Sequence, residues 1–133
     1  MSDFPVNMQQ KPVVEPFFDP GSNTISYIVI DTETNACAVI DSVLDFDYAA
    51  GRTFYDNADK QIEYIRQNNL SLEWIIETHV HADHLSAAPY LQESLGGKQA
   101  SVKKLSAYRM SLEKYSTRAH RFNVTAHSLM RCL

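Results

Sequence analysis

Glycine and proline are scarce in this chain, and neither occurs after residue 97. Of 133 residues, 4 are glycine and 5 proline. A folded α/β protein needs turn residues between its elements, so 98–133 does not read as a continuation of what precedes it. Charge changes sign at the same point, with 15 acidic and 4 basic residues up to Gly97 and 1 acidic and 8 basic beyond it. Cysteine is nearly absent too. Cys37 and Cys132 are too few for a disulfide scaffold and are not spaced as a metal-binding pair. Cys37, within Ala36-Cys37-Ala38-Val39-Ile40, reads as a small buried hydrophobe, because no histidine lies in that segment to activate a thiol. Apolar runs are short. None approaches the roughly 20 residues of a membrane span, and the acidic start Met1-Ser2-Asp3-Phe4-Pro5 does not resemble a signal peptide. A cytoplasmic location is the expectation. The basic tail comes without a base-stacking or groove-reading motif, so no nucleic-acid partner is expected.

What the chain does have is His79-Val80-His81-Ala82-Asp83-His84, four metal-competent side chains within six residues. The run before it, Leu72-Glu73-Trp74-Ile75-Ile76-Glu77-Thr78, is apolar, β-branched and aromatic, and reads as a buried strand. The histidines therefore sit where a strand ends. Residues two apart on extended backbone project to the same side, so His79 and His81 can aim neutral imidazoles at one cation. Asp83 and His84 follow as the chain turns, and can serve a second cation or a water bound to the first. The next run, 86–95, is helix-like, with Pro89 in its first turn and Gly96-Gly97 as its stop. A junction of strand, loop and helix suits metal chemistry because the rigid strand fixes the ligand angles.

The remaining elements follow from the same patterns. Strands are expected over 13–18, 24–31, 36–41 and 72–78, and a loop over 42–55. A helix is expected over 58–68, capped by Asp56 or Asn57, with Ala58, Ile62 and Ile65 facing the sheet. Residues 1–12 read as a flexible leader. Asp41 can orient a motif histidine through its free ring N–H, or serve only as a strand-end turn residue. Asp45 and Asp47 read as solvated loop residues, and Thr78 as a local backbone partner.

Thr78-His79-Val80-His81-Ala82-Asp83-His84-Leu85 resembles the signature of the metallo-β-lactamase fold superfamily. The segments 21–31 and 38–41 resemble that fold's first hairpin, and 75–97 is most similar to its glyoxalase II and persulfide dioxygenase branch, whose members act on glutathione-linked substrates. Residues 13–97 correspond to the first half of the family's αβ/βα sandwich. The resemblance implies that His79 and His81 bind one metal, that Asp83 and His84 bind another, and that Asp83 positions or deprotonates the catalytic water. It implies zinc, one or two ions, with iron as the alternative, and a small thioester or other glutathione-linked substrate. The family's third histidine and bridging aspartate come from a second half. His120 and His127 lack the Gly-His-Thr type of turn that would identify them with it. Three activities are therefore open: a metal-dependent hydrolase, a mononuclear-iron persulfide dioxygenase, or an inactive half-domain that self-associates through an exposed half-sandwich.

Two readings of 98–133 also stand. One is a non-native terminus such as a frame shift would produce. The other is a basic amphipathic helix, since Leu105, Tyr108, Leu112, Tyr115, Ala119 and Phe122 recur at steps of 3 and 4.

Overall fold

The structure is a computed structural model that describes residues 9, 11–79, 81 and 84–101. Alternating and β-branched segments pair from the start of the described chain. β1 (Val13–Asp19) and β2 (Thr24–Ile30) form an antiparallel hairpin in which Val13 faces Ile30 and Asp19 faces Thr24. Asp19 closes its turn, accepting the N–H of Gly21 at 3.2 Å and of Ser22 at 2.9 Å, and the Ser22 hydroxyl at 2.6 Å. Burial works against the Asp19 charge, but the hydrogen bonds from Ser22, Gly21 and Asn57 outweigh it and hold the carboxyl below its ordinary range.

β3 (Ala36–Ile40) pairs antiparallel with β2 and parallel with β6 (Ser71–Glu77). β8 (Lys98–Ser101) lies parallel on the far side of β6, which gives a mixed sheet in the order β1-β2-β3-β6-β8. The crossover from β3 to β6 carries β4 (Val43–Asp47), β5 (Arg52–Phe54) and α1 (Asp56–Gln67). β7 (Leu85–Ser86) and α2 (Ala88–Leu95) follow β6. A second, three-stranded sheet runs β5-β4-β7.

Both helices pack on one face of the larger sheet. Ile28, Ile30, Cys37, Val39, Leu72 and Ile75 meet Ala58, Ile62 and Ile65 of α1 and Ala88 and Leu91 of α2 in one buried cluster. Burying a side chain the size of Ile or Leu stabilises by roughly 1.5–3 kcal/mol, so this cluster anchors the unit. Cys37 lies inside it, fully buried. Burial, with Glu73 adding to it, pushes the thiol up to about 12, and no thiolate is available there for chemistry. On the opposite face the sheet is open at its edge, where Val14, Phe18, Ile25 and Tyr27 are exposed. It is covered at its centre, where Val29, Ala38 and Ile40 are buried. An exposed half-sandwich thus describes the β1–β2 edge only.

Several local expectations are corrected. The stretch 42–55 holds the β4–β5 hairpin rather than a loop. Neither Asp56 nor Asn57 caps α1, whose N-cap position is Tyr55, without a side-chain bond. The cap comes from outside the helix: Asp45 in β4 accepts the Asn57 N–H at 2.9 Å and the Asn57 amide at 3.1 Å. Asp45 is therefore buried and bonded, not solvated. Asp47 is exposed, accepting from Ala49 and Ala50 in its own turn.

The helical run expected from 86 starts at Ala88, because Leu85 and Ser86 pair with β4. α2 stops at two glycines with φ of 78° and 91°. A Cβ on Gly97 would come within 3.1 Å of the Leu72 carbonyl oxygen, so glycine is required where the chain turns into β8. The sheet continues past Gly97, with Lys98 lying 5.5 Å over the Trp74 ring, and the first four residues read as tail are strand. The flexible leader falls almost wholly outside the described residues. So do the helical reading of the tail, His120, His127 and Cys132. Among the described residues no helix is long and apolar enough to cross a membrane.

Candidate metal centre

Parallel pairing brings the carboxyl ends of β3 and β6 to one edge of the sheet, and the candidate site stands there. Asp41 follows β3 with φ 51°, a left-handed turn that aspartate tolerates. Its N–H bonds the Ile76 carbonyl at 2.9 Å, which ties the two strand ends together. Its carboxylate then reaches 37 positions along the chain: Oδ1 accepts the Thr78 N–H at 2.8 Å and Oδ2 the Thr78 hydroxyl at 2.6 Å. Thr78 therefore bonds across the fold and is not a local backbone partner.

The contacts of each histidine assign its protons. The Thr78 hydroxyl has given its hydrogen to Asp41, so at 2.8 Å it accepts from His79 Nδ1 and leaves His79 Nε2 with a free lone pair. His81 Nε2 lies 3.0 Å from Asp41 Oδ1 and 2.8 Å from Glu77 Oε2. Both are acceptors, so the proton is on Nε2 and Nδ1 is free. His84 Nδ1 lies 2.9 Å from the Leu85 carbonyl, which puts its proton there. His84 Nε2 is buried with no hydrogen-bond partner. The His79 and His81 rings are 4.2 Å apart, as are the His81 and His84 rings, which stack.

Three imidazoles thus sit side by side, each tied through one nitrogen and without a bond to a described residue at the other. That is the state a metal-ligating histidine needs, with its second nitrogen donating to a protein acceptor. Asp41, His79 and His81 bring possible ligand atoms within 4.8 Å of one another. Both Asp41 oxygens are already engaged with Thr78 and His81, which favours an orienting carboxylate over a direct ligand. Asp83 lies outside the described residues. The donor set suits zinc or iron.

The sequence did not single out Glu77 or Ser86. Ser86 donates to Glu77 Oε1, and Glu77 Oε2 faces His81. The available signal was Glu77 standing four residues before His81, directly after the apolar run Trp74-Ile75-Ile76.

A cleft of about 600 Å³ opens beside the histidines. Its walls include Asp19, Phe46, Tyr48, Phe54, His81 and His84. The exposed aromatic rings come from the β4–β5 region, which offers an apolar surface next to the polar cluster.

The family model of the metallo-beta-lactamase superfamily matches residues 20–128. The chain is 49% identical over 85 residues to glyoxylase B2 of Dictyostelium discoideum, covering 64% of this chain and 29% of the relative. It is 30% identical over 95 residues to the human mitochondrial persulfide dioxygenase ETHE1, covering 71% and 33%. Among solved structures, ETHE1 from Myxococcus xanthus superposes with a TM-score of 0.55 at 28% identity, covering 65% of this chain and 34% of that one. The chain spans between 21% and 33% of the length of the curated relatives it matches.

Proposed function

Because the chain belongs to the metallo-beta-lactamase superfamily, we propose that it carries the histidine half of a metal-dependent hydrolase site acting on a glutathione thioester or a related sulfur-linked small molecule. One observation carries this reading: the three described histidines of the motif each have one ring nitrogen bonded within the protein and the other without a partner among the described residues. A cation bound by such ligands lowers the pKa of a coordinated water to about 7 and polarises a carbonyl.

The chain's own residues do the rest. His79 and His81 would hold the first ion. His84 would hold a second, with Asp83 as its companion and as the carboxylate that would position the attacking water. Asp41 keeps His81 in one tautomer and one orientation. Phe46, Tyr48 and Phe54 receive the apolar part of the substrate. Hydrolysis then breaks the acyl carbon–sulfur bond, the water oxygen ending on the acyl carbon and its proton on the leaving thiolate.

A second reading is oxygen-dependent oxidation of a persulfide at one iron. It is favoured by the resemblance to a persulfide dioxygenase, and of the motif it would rely mainly on His79. The exposed residues Val14, Phe18, Ile25 and Tyr27 are the surface on which self-association would rest.

The test is metal content and two assays on the purified full chain: thioester cleavage with zinc, and oxygen uptake on glutathione persulfide with iron. The hydrolase reading expects bound zinc and thioester cleavage, both lost in His79→Ala. Oxygen uptake without thioester cleavage would replace it with the second reading. A chain that takes up neither metal overturns both.

A further inference from the structure

Glu77 has no part in the site as assigned so far, yet its carboxylate is committed to it. It closes β6 and turns inward, with its side chain 19% exposed beside a His81 side chain that is 6% exposed. Its oxygens are divided between two partners. Oε1 accepts the Ser86 hydroxyl, and the same Ser86 oxygen accepts the Ala88 N–H at 3.1 Å. A line of contacts therefore runs from the first turn of α2 through Ser86 and Glu77 to His81.

The far end of that line is unusual in its charge. His81 Nε2 carries one proton but faces two carboxylates. Asp41 Oδ1 takes an aligned hydrogen bond at 3.0 Å. Glu77 Oε2 lies nearer, at 2.8 Å, but out of hydrogen-bond alignment, and it is a buried oxygen without a hydrogen-bond partner. A buried carboxylate oxygen with no donor is unfavourable unless positive charge stands close by, and the imidazole between it and a candidate cation is where that charge would be felt.

We propose that Glu77, held by Ser86, is a positioning residue for His81 as a metal ligand. Resting on the metal reading above, it gives Glu77 a task that reading does not contain. Asp41 and Glu77 grip the Nε2 side of the ring from two strand ends and fix its tilt, so that Nδ1 is presented in one direction. The second negative charge also makes Nδ1 a stronger donor. Ser86 links this grip to the N-terminus of α2, so the helix and the ligand are placed together.

The experiment uses the full chain, with zinc affinity read by chelator competition and the visible absorption of the cobalt(II)-loaded chain read for ligand geometry. Circular dichroism, recorded well below the melting transition, confirms that each variant is folded. Glu77→Ala should weaken zinc binding about 10- to 100-fold, the range for loss of a partner that orients a metal-ligating histidine, and should shift the cobalt spectrum. Glu77→Gln keeps an acceptor and loses the charge, and Ser86→Ala keeps the charge and loses the tether, so both should fall between wild type and Glu77→Ala. A residue that only supported the fold would lower the melting temperature and leave zinc affinity and the cobalt spectrum of the folded chain unchanged.

If Glu77→Ala does not fold, the other two variants decide. Zinc affinities within twofold of wild type in both, with unaltered cobalt spectra, overturn the proposal. The two failures separate through His79→Ala. Zinc binding that is lost there but unchanged in Glu77→Gln and Ser86→Ala overturns the role of Glu77 alone, whereas a wild-type chain that binds no zinc removes the metal reading and Glu77 with it.

Discussion

Replacing Asp41 removes more from this fold than a single side chain normally does. Its carboxylate takes the Thr78 N–H at 2.8 Å, the Thr78 hydroxyl at 2.6 Å and the His81 ring at 3.0 Å, and its side chain is 14% exposed. A hydrogen bond to a charged group contributes about 1.5–3 kcal/mol. The three bonds share one carboxylate and are coupled, so their joint loss costs about 3–4 kcal/mol rather than the sum. Alanine adds a cost of its own, because φ at position 41 is 51° and a left-handed backbone costs such a residue about 1–2 kcal/mol.

Asp41→Ala should therefore lower the melting temperature by about 15–25 °C, the combined 4–6 kcal/mol taken at about 4 °C per kcal/mol for a chain of this length. Asp41→Asn behaves differently. Its oxygen can keep the two N–H donors at the Oδ1 position, its amide can donate to the Thr78 oxygen, and asparagine accepts the left-handed turn, so the loss should be close to 1 kcal/mol. Zinc affinity should fall in both variants, more in alanine. Calorimetry and chelator competition measure the two quantities. A melting temperature for Asp41→Ala within 3 °C of wild type, or an Asn variant as unstable as the Ala variant, would refute the network as described.

Two further outcomes follow from residues outside the histidine cluster. Asp45→Ala should cost about 0.5–2 kcal/mol, as loss of a helix cap does, and hydrogen exchange should show the first turn of α1 opening while α2 stays protected. Equal loosening of both helices would mean Asp45 is not the cap. Asp19 is the pH prediction: its folded carboxyl lies below the ordinary range, so the stability it adds is present above the unfolded value near 4 and lost as pH falls through the folded one. The difference in melting temperature between wild type and Asp19→Asn should shrink as pH drops below 4, and a constant difference down to pH 2 would contradict the assignment.

The elements that the sequence made legible are those whose apolar pattern is complete within the segment itself. β1, β2, β3, β6, α1 and α2 lie within a few residues of the spans read from periodicity. The β4–β5 hairpin was hidden because Asp45 points inward, where alternation predicts an apolar residue, and because β5 is three exposed residues. The true cap of α1 was hidden because its partner stands 12 residues away. β8, Lys98-Gln99-Ala100-Ser101, is a polar strand that only the neighbouring β6 defines, so composition marked a boundary where the sheet continues. In the candidate site the histidines were legible as a motif. Glu77 and Ser86 were not, since a carboxylate and a hydroxyl nine residues apart acquire meaning only once β6 and β7 are in place.

The parallel pairing of β3 with β6 has a kinetic consequence. Asp41 and Thr78 are 37 residues apart, and a parallel pair cannot form until the whole crossover between them, α1 included, has closed. That closure requires loop entropy to be spent before any long-range contact rewards it. The histidine pocket is thus incomplete until that crossover has closed, even where the strand that carries it has already formed. An isolated peptide containing the motif would have the histidines without the carboxylate that bonds Thr78 and His81, so under the metal reading high-affinity capture would report completed topology. Partly folded chains would compete poorly for the ion, and binding would draw the ensemble toward the native state.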